Sequence, residues 1–400
     1  MNRPFRFCIV RSQGRIAPAI MTDVADALTA IGCPSMVLDL EEKGVYLAQT
    51  PDTIERAARS VIADVSSFRP DFILSYGTGG IIGTGSSSHM WEDLGIPYVL
   101  LFFDAPLGQE LFFRQWGSSR LLTVGCWDRH YRVWFEEQGV KQWFYLPLGT
   151  NAQVAGPVID RQDDSRLSFV GSLDARYVAL DLPCSGDLCG IRDRFLELKV
   201  NHPCVSFDSL LARSVGDESS KETFRGFAST DGYSRFAGDL MRKADAVYRR
   251  DAIKKAASVL PVRVFGNSGW EQHLPSSVAF AGTVNYGSDL AQVYCSSAIN
   301  LNLTNSHLQT AVNQRVFDCP AAGGFILSDY REDAERFFEP GVEIVCFKTM
   351  DEMSGLLERY KQSPLERQRI AMAARRRVLS EHTWDCRMRT LTGYLESGAA

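Results

Sequence analysis

Short apolar runs alternate with stretches of helical spacing from the first residues onward. Phe5 to Val10 reads as a buried strand, Pro18 to Ile31 as an amphipathic helix stopped by Gly32, and Ser35 to Leu40 as a second strand. The alternation continues with a helix opened by Thr50 and Pro51, then with strands at Asp71–Tyr76, Pro97–Asp104, Leu121–Cys126 and Trp143–Leu148. Continuous apolar strands separated by helices predict a parallel sheet covered on both faces.

After Gly149 the chain turns polar, and 151–166 has the composition of a linker. A second series follows, with strands predicted at Leu167–Val170, Val262–Phe265, Val278–Ala281, Ala298–Leu303, Gly324–Leu327 and Glu343–Phe347. Between the first two of these lies a long stretch without strand signals, in which Ser234 to Val259 has helical spacing. The expectation is a first domain at 1–150 and a second at 167–380 carrying a mostly helical insertion at about 177–258. Ser363, Pro364 and Glu366 supply a helix start, and a last helical segment at 381–400 is placed to cross back to the first domain. Two doubly wound sheets of this kind are expected to face each other across a cleft at the carboxyl ends of their strands.

Composition narrows the partners. The net charge of −5 supplies no positive field to hold a nucleic acid. Ten cysteines without a CxxC pair predict reduced thiols in a cytoplasmic protein and give no four-ligand metal site. The longest purely apolar run, Tyr98 to Phe103, is too short to span a bilayer, and the first residues lack the charged, apolar and cleavage-site succession of a leader.

In such sheets the residues that follow each strand carry the chemistry. Gly14 lets the backbone after the first strand approach a phosphate, or simply makes a tight turn. Gly77, Gly79, Gly80, Gly83 and Gly85 form a second small-residue loop without the lysine of a P-loop. Asp104 ends a strand at the rim, where it serves as a base, as an acceptor for a substrate hydroxyl, or as a cap. His89 and His307 are further candidates for a polar ligand, with a structural histidine as the other reading of His89. Asn300, Asn302, Thr304, Asn305 and His307 crowd one strand and its loop with groups that need partners. Arg315 and Asp318 share one helix face, as an ion pair or as part of a site.

These residues carry a resemblance. SFVGS at Ser168–Ser172, VFGNSGW at Val264–Trp270, FAGTVNY at Phe280–Tyr286, NLNLT at Asn300–Thr304, QRVFDCPAAGGF at Gln314–Phe325, FEPGVE at Phe338–Glu343 and the pair His382–Thr383 occur in the order of the CgeB-like glycosyltransferases of spore maturation and flagellin modification. GIPYVLLFFDAP at Gly95–Pro106 and LPLGTN at Leu146–Asn151 extend it into the first half.

The resemblance implies an α/β GT-B fold of two Rossmann-like domains, the first for the acceptor and the second for a nucleotide-sugar donor. It implies a hexosyltransferase-like enzyme that passes a sugar, from a UDP-sugar by preference, to a hydroxyl of a glycan or of a protein such as flagellin. Gly266, Asn267, Asn285 and Tyr286 resemble base-binding loops, and Gly323 and Gly324 the phosphate-side glycines. Asp318 matches the ribose-gripping second acid of an E-x7-E motif whose first acid is replaced here by Thr310, a departure that bears on sugar contacts and on retention of configuration. The chain has no D-x-D triplet, which fits catalysis without a metal or other cofactor. The leaving diphosphate then needs cations, with Arg315 first and Arg176 second. A nucleotide-sugar 2-epimerase and a non-catalytic two-lobed binding protein are the alternatives.

Overall fold

The computed structural model describes residues 3–14, 17–84, 88–106, 108–151, 165–182, 186–216, 218–228 and 232–398. The chain forms two compact units, Met1–Gly149 with His382–Ala400, and Thr150–Glu381. The linker expected at 151–166 falls mostly outside the described residues.

In the first unit, β1 (Phe7–Arg11), β2 (Ser35–Asp39), β3 (Phe72–Tyr76), β4 (Tyr98–Phe102), β5 (Leu122–Cys126) and β6 (Trp143–Tyr145) form a parallel sheet in the order β2-β1-β3-β4-β5-β6. Strands β4 and β5 are buried along their whole length, which is why their runs are apolar without alternation. The connecting helices are α1 (Ala17–Ala30), α2 (Pro51–Phe68), α3 (Met90–Asp93), α4 (Glu110–Trp116) and α5 (Arg132–Glu137). Helix α2 starts where its sequence says: Thr50 and Thr53 exchange side-chain to backbone hydrogen bonds and Pro51 takes the first turn. The order in which strands are added reverses between β1 and β3, and there the loop after β3 packs tightly. A Cβ on Gly80 would lie 2.5 Å from Ser75 Oγ and 2.9 Å from Val10 Cβ, so only glycine fits.

In the second unit, β7 (Leu167–Val170), β8 (Val262–Phe265), β9 (Val278–Phe280), β10 (Ile299–Asn302), β11 (Ile326–Asp329) and β12 (Val345–Phe347) are parallel in the order β12-β11-β10-β7-β8-β9. Read from the other edge, this is the doubly wound Rossmann order, with its switch point between β7 and β10. The helices are α6 (Ala175–Ala179), α7 (Asp187–Asn201), α8 (Phe207–Ser214), α9 (Glu218–Ala228), α10 (Gly232–Ala257), α11 (Ser288–Ser296), α12 (Arg315–Ala321), α13 (Ala334–Phe337), α14 (Met350–Lys361) and α15 (Pro364–Glu381). Helix α16 (Trp384–Glu396), capped by Thr383, belongs to the first unit and packs on α1.

Between β7 and β8 the described residues form helices, and α10 divides its packing between two cores. The first half of α10 joins Ile191, Phe195, Phe207 and Leu210 in a separate helical core through Ala237, Leu240 and Met241. Its second half, from Ala246 through Ala256, packs into the core of the sheet. One helix therefore serves both as part of the insertion and as the crossover to β8. Helical spacing is the same on either side of that change, so the boundary near residue 245 leaves no periodic signal.

Cys189 is disulfide-bonded, which corrects the expectation of reduced thiols throughout; eight others are free. Among the described residues no helix is long and apolar enough to cross a membrane.

The loops after β7 and β8 lock together. Trp270 Nε1 donates to Gly171 O at 2.7 Å, and Gly266 N donates to Gly282 O at 2.8 Å. A Cβ on Gly266 would lie 2.3 Å from Gly171 O. Substituting Gly266→Ala must push two strand-end loops apart, so the urea midpoint is expected to fall by the equivalent of about 1–3 kcal/mol; an unchanged midpoint would show that the loops yield freely.

Candidate functional site

The second sheet carries a polar stripe on one face, because Asn300 lies in register with Ser168 and Asn302 with Ser328. Ser168 Oγ donates to Asn300 Oδ1 at 2.5 Å, while Asn300 Nδ2 donates to the carbonyls of Tyr294 and Phe325. Asn302 Nδ2 donates to Ser328 Oγ at 2.9 Å, and its Oδ1 accepts from Asn313 Nδ2 at 2.9 Å. Asn313 precedes α12, so this chain of amides fixes the amino end of that helix over the switch point.

Two arginines converge there. Arg315 is the first residue of α12, is half-buried, and makes no hydrogen bond or ion pair with any described residue. Arg249 reaches in from α10 and donates from Nη1 to Ser172 O at 2.7 Å, while its buried Nε has no partner. Burial, and then the repulsion of Arg315, push the Arg249 guanidinium down to about 10. Asp245 and Asp329 offset part of that repulsion without forming an ion pair with either arginine, and two cations so placed suit an anion. Ser168, Val170, Tyr294, Asn302 and Arg315 line a narrow, closely packed cavity there.

A turn along α12, Asp318 is buried and accepts from Thr150 Oγ1 at 2.7 Å and from Gln314 Nε2 at 3.0 Å. It lines a second small cavity, of about 10 Å³, with Thr150, Tyr286, Gly287, Leu290 and Tyr294. The structure thus brings Asn302, Arg315, Asp318 and Tyr286 into one region of the second unit. Tyr286 is 43% exposed at its edge, and Asn285 bonds Asp289.

His307 is half-buried in the loop leaving β10. Asp245 accepts from Ser306 N at 2.8 Å and Ser306 Oγ at 2.6 Å, and Asp329 accepts from Thr304 N at 2.8 Å, so two carboxylates pin that loop.

In the first unit, Asp104 is exposed just past β4 and accepts from Tyr76 Oη at 2.8 Å. Burial and the Asp104 charge raise the Tyr76 phenol well above its ordinary value, so it remains the donor. Gly14, in the left-handed region at φ 146, leads out of β1 at the same end of the sheet.

Other sequence candidates have structural duties. His89 is fully buried in a box of Tyr98, Phe112 and Trp116 near the amino end of β4, the end opposite Asp104, and burial holds its imidazole below the usual value. Asn267 spends both amide atoms on the Leu173 backbone, and Gly266 is the close contact described above. Gly323 and Gly324 stand at the carbonyl end of α12 and donate their N–H groups to Pro320 O and Cys319 O, so neither amide is available to a phosphate. Arg176 is exposed and paired with Asp174.

The sequence reading passed over Arg249, Thr150, Asn313 and Tyr294. Arg249 lay inside a stretch read as insertion, and its only signal is position i+4 from Asp245. Tyr294 follows Leu290 by four residues, which puts a phenol on the core face of its helix.

Residues 243–393 match a family model described as glycosyl transferase-like. No curated protein matches the chain by sequence. Among solved structures, the chain is similar to HepE of Anabaena in complex with UDP-glucose, at 10% identity and a TM-score of 0.53 over 98% of this chain and 100% of that one. It is similar to sucrose-phosphate synthase from Thermosynechococcus elongatus at 11% identity and 0.55, over 99% of each chain. A glycosyltransferase from Rickettsia africae gives 11% and 0.51, again over 99% of each. At such identities the likeness is one of fold, and the fold is the two-domain α/β architecture of GT-B glycosyltransferases.

The arginine pair yields a prediction independent of any substrate. Inorganic pyrophosphate is expected to raise the melting temperature of the parent protein, and to do so far less in Arg249→Met, which keeps the apolar stem but removes the charge. Equal stabilisation of both proteins would show that the anion sits elsewhere.

Proposed function

We propose that the chain is a glycosyltransferase that takes a sugar from a nucleotide-sugar donor held by the second unit and passes it to a hydroxyl of a glycan or protein. The observation that carries this reading is Arg315, without an ion-pair partner among the described residues, with the Arg249 guanidinium acting on it and the buried Asp318 carboxylate one helical turn along α12. A nucleoside diphosphate presents the complementary set, an anionic diphosphate for the arginines and vicinal ribose hydroxyls for the carboxylate. The family model over 243–393 and the fold support it, and the UDP-glucose bound to HepE makes a UDP-sugar the first donor to try.

In this reading the bond between the anomeric carbon and the terminal phosphate oxygen breaks, and negative charge gathers on that oxygen. Arg249 and Arg315 stabilise it without a metal bridging the diphosphate. The acceptor hydroxyl forms the new bond to the anomeric carbon and gives up its proton. Asp104, oriented by Tyr76, is the carboxylate assigned to orient that hydroxyl or accept the proton. CgeB-like membership and a protein acceptor such as flagellin belong to the same proposal and rest on the sequence signatures, while a cytoplasmic location rests on the cysteine composition.

Incubation with a panel of nucleotide sugars, with and without glycan and protein acceptors, is expected to release nucleoside diphosphate in an acceptor-dependent way that survives excess chelator. Donor epimerised without release would instead indicate a 2-epimerase, and binding without turnover a ligand-binding protein. Asp318→Ala is expected to weaken nucleoside diphosphate binding by about 1–3 kcal/mol, measured by titration calorimetry. Unaltered affinity in the folded variant removes Asp318 from the ribose.

A further inference from the structure

The hydroxyls of Ser168, Ser328 and Thr304 on and beside the second sheet are paired, with Asn300, Asn302 and Asp329 respectively. The phenol of Tyr294 is not. The residue is 3% exposed, and its hydroxyl oxygen has no hydrogen-bond partner among the described residues. A stranded buried hydroxyl is costly, whereas phenylalanine would fill the same space without that cost. The hydroxyl therefore needs a partner that the chain does not supply.

Its surroundings indicate what that partner is. Tyr294 lines both cavities, the one that holds Arg315 and the one that holds Asp318 and Thr150. Arg315, Asp318 and Cys319, all on one face of α12, act electrostatically on the phenol. Arg315 and Asp318 are three residues apart, about 5 Å along the helix axis, and Tyr294 faces them from α11. The amino end of α11 at Gly287 opens on the same cavity, with no side chain capping its N–H groups. Burial keeps the phenol protonated, against the pull of Arg315, so it is a donor. Asp318 is an acceptor and the arginines are cations. A nucleotide whose ribose meets Asp318 and whose terminal phosphate meets the arginines must carry its inner phosphoryl group between them.

We propose that Tyr294 is a ligand-binding residue whose hydroxyl donates to the phosphoryl group next to the ribose of the bound nucleotide. The assignment rests on the nucleotide-sugar reading above. It explains why a phenol occupies a position where packing alone asks only for a ring.

Tyr294→Phe tests it, since only the oxygen is lost. The melting temperature without ligand is expected to stay the same or rise. The Kd for nucleoside diphosphate is expected to increase about tenfold, the scale of one charge-assisted hydrogen bond. Nucleoside monophosphate should lose the same factor, because it retains the inner phosphoryl group. An unchanged Kd overturns the proposal, and so does a loss confined to the diphosphate, which would put the hydroxyl on the terminal phosphate. A lowered melting temperature or failure to fold overturns it as well, by making the hydroxyl a structural partner. A parent protein that binds no nucleotide removes the functional reading itself, whereas a parent that binds and a Phe variant that binds equally well removes only this assignment.

Discussion

Strand β10 carries two asparagines into a layer where water does not reach, and the geometry of the candidate site follows from how they are paired. Asn300 is 3% exposed and Asn302 is 1% exposed. A buried amide left unbonded costs about 1–3 kcal/mol per lost partner, so each must meet a fixed set of neighbours. Asn300 takes Ser168 on β7 and two carbonyls. Asn302 takes Ser328 on β11 and Asn313 at the entry to α12. The register of three strands and the start of one helix are thereby tied to two side chains. Since Arg315 and Asp318 ride on α12, their positions at the switch point are set by the same pairs.

The helical insertion contributes to this arrangement from the other side. Its last helix runs into the sheet core and brings Asp245, which accepts from both the amide and the hydroxyl of Ser306. Asp329 does the same for Thr304 and lies 3.7 Å from Arg331. Lys199, from the insertion proper, is fully buried against Tyr248 and Pro203 O, and burial together with Arg331 pushes its amine down to about 8. These buried charges make the insertion part of the scaffold that holds the β10 loop. A surface appendage would have no reason to bury a lysine, since an ammonium is expensive to remove from water without compensation.

The strands were legible because each is a short apolar run, and a parallel sheet covered on both faces demands such runs. Helix starts at Thr50, Pro364 and Thr383 were legible because capping chemistry is local. Arg315 and Asp318 were legible from their position after a polar strand. Arg249 was not, since the cation that acts on it is 66 residues away in sequence and only the fold brings the two together. Gly323, Gly324, Gly266 and Asn267 belong to recognisable signatures, yet their N–H and amide groups are consumed inside the protein. A signature can mark a position that must be small or must brace a loop as readily as one that touches a ligand. His89 shows the converse, a polar residue near a glycine-rich loop that the fold seals among aromatic rings.

Several donors of the second unit are left unmet around α11 and the start of α12. Arg249 and Arg315 lack carboxylate partners, the amino end of α11 lacks a capping side chain, and the Tyr294 hydroxyl lacks an acceptor. Each is an unmet donor or positive charge, and the Oδ1 atoms of Asn305 and Asn313 are buried acceptors with no partner among the described residues. Unmet donors and cations near the Asp318 carboxylate complement anionic oxygens, and the unmet acceptors complement hydroxyl groups, so a ligand that offers both fits the set. Folding stability is reduced by leaving those groups unmet, and binding recovers it.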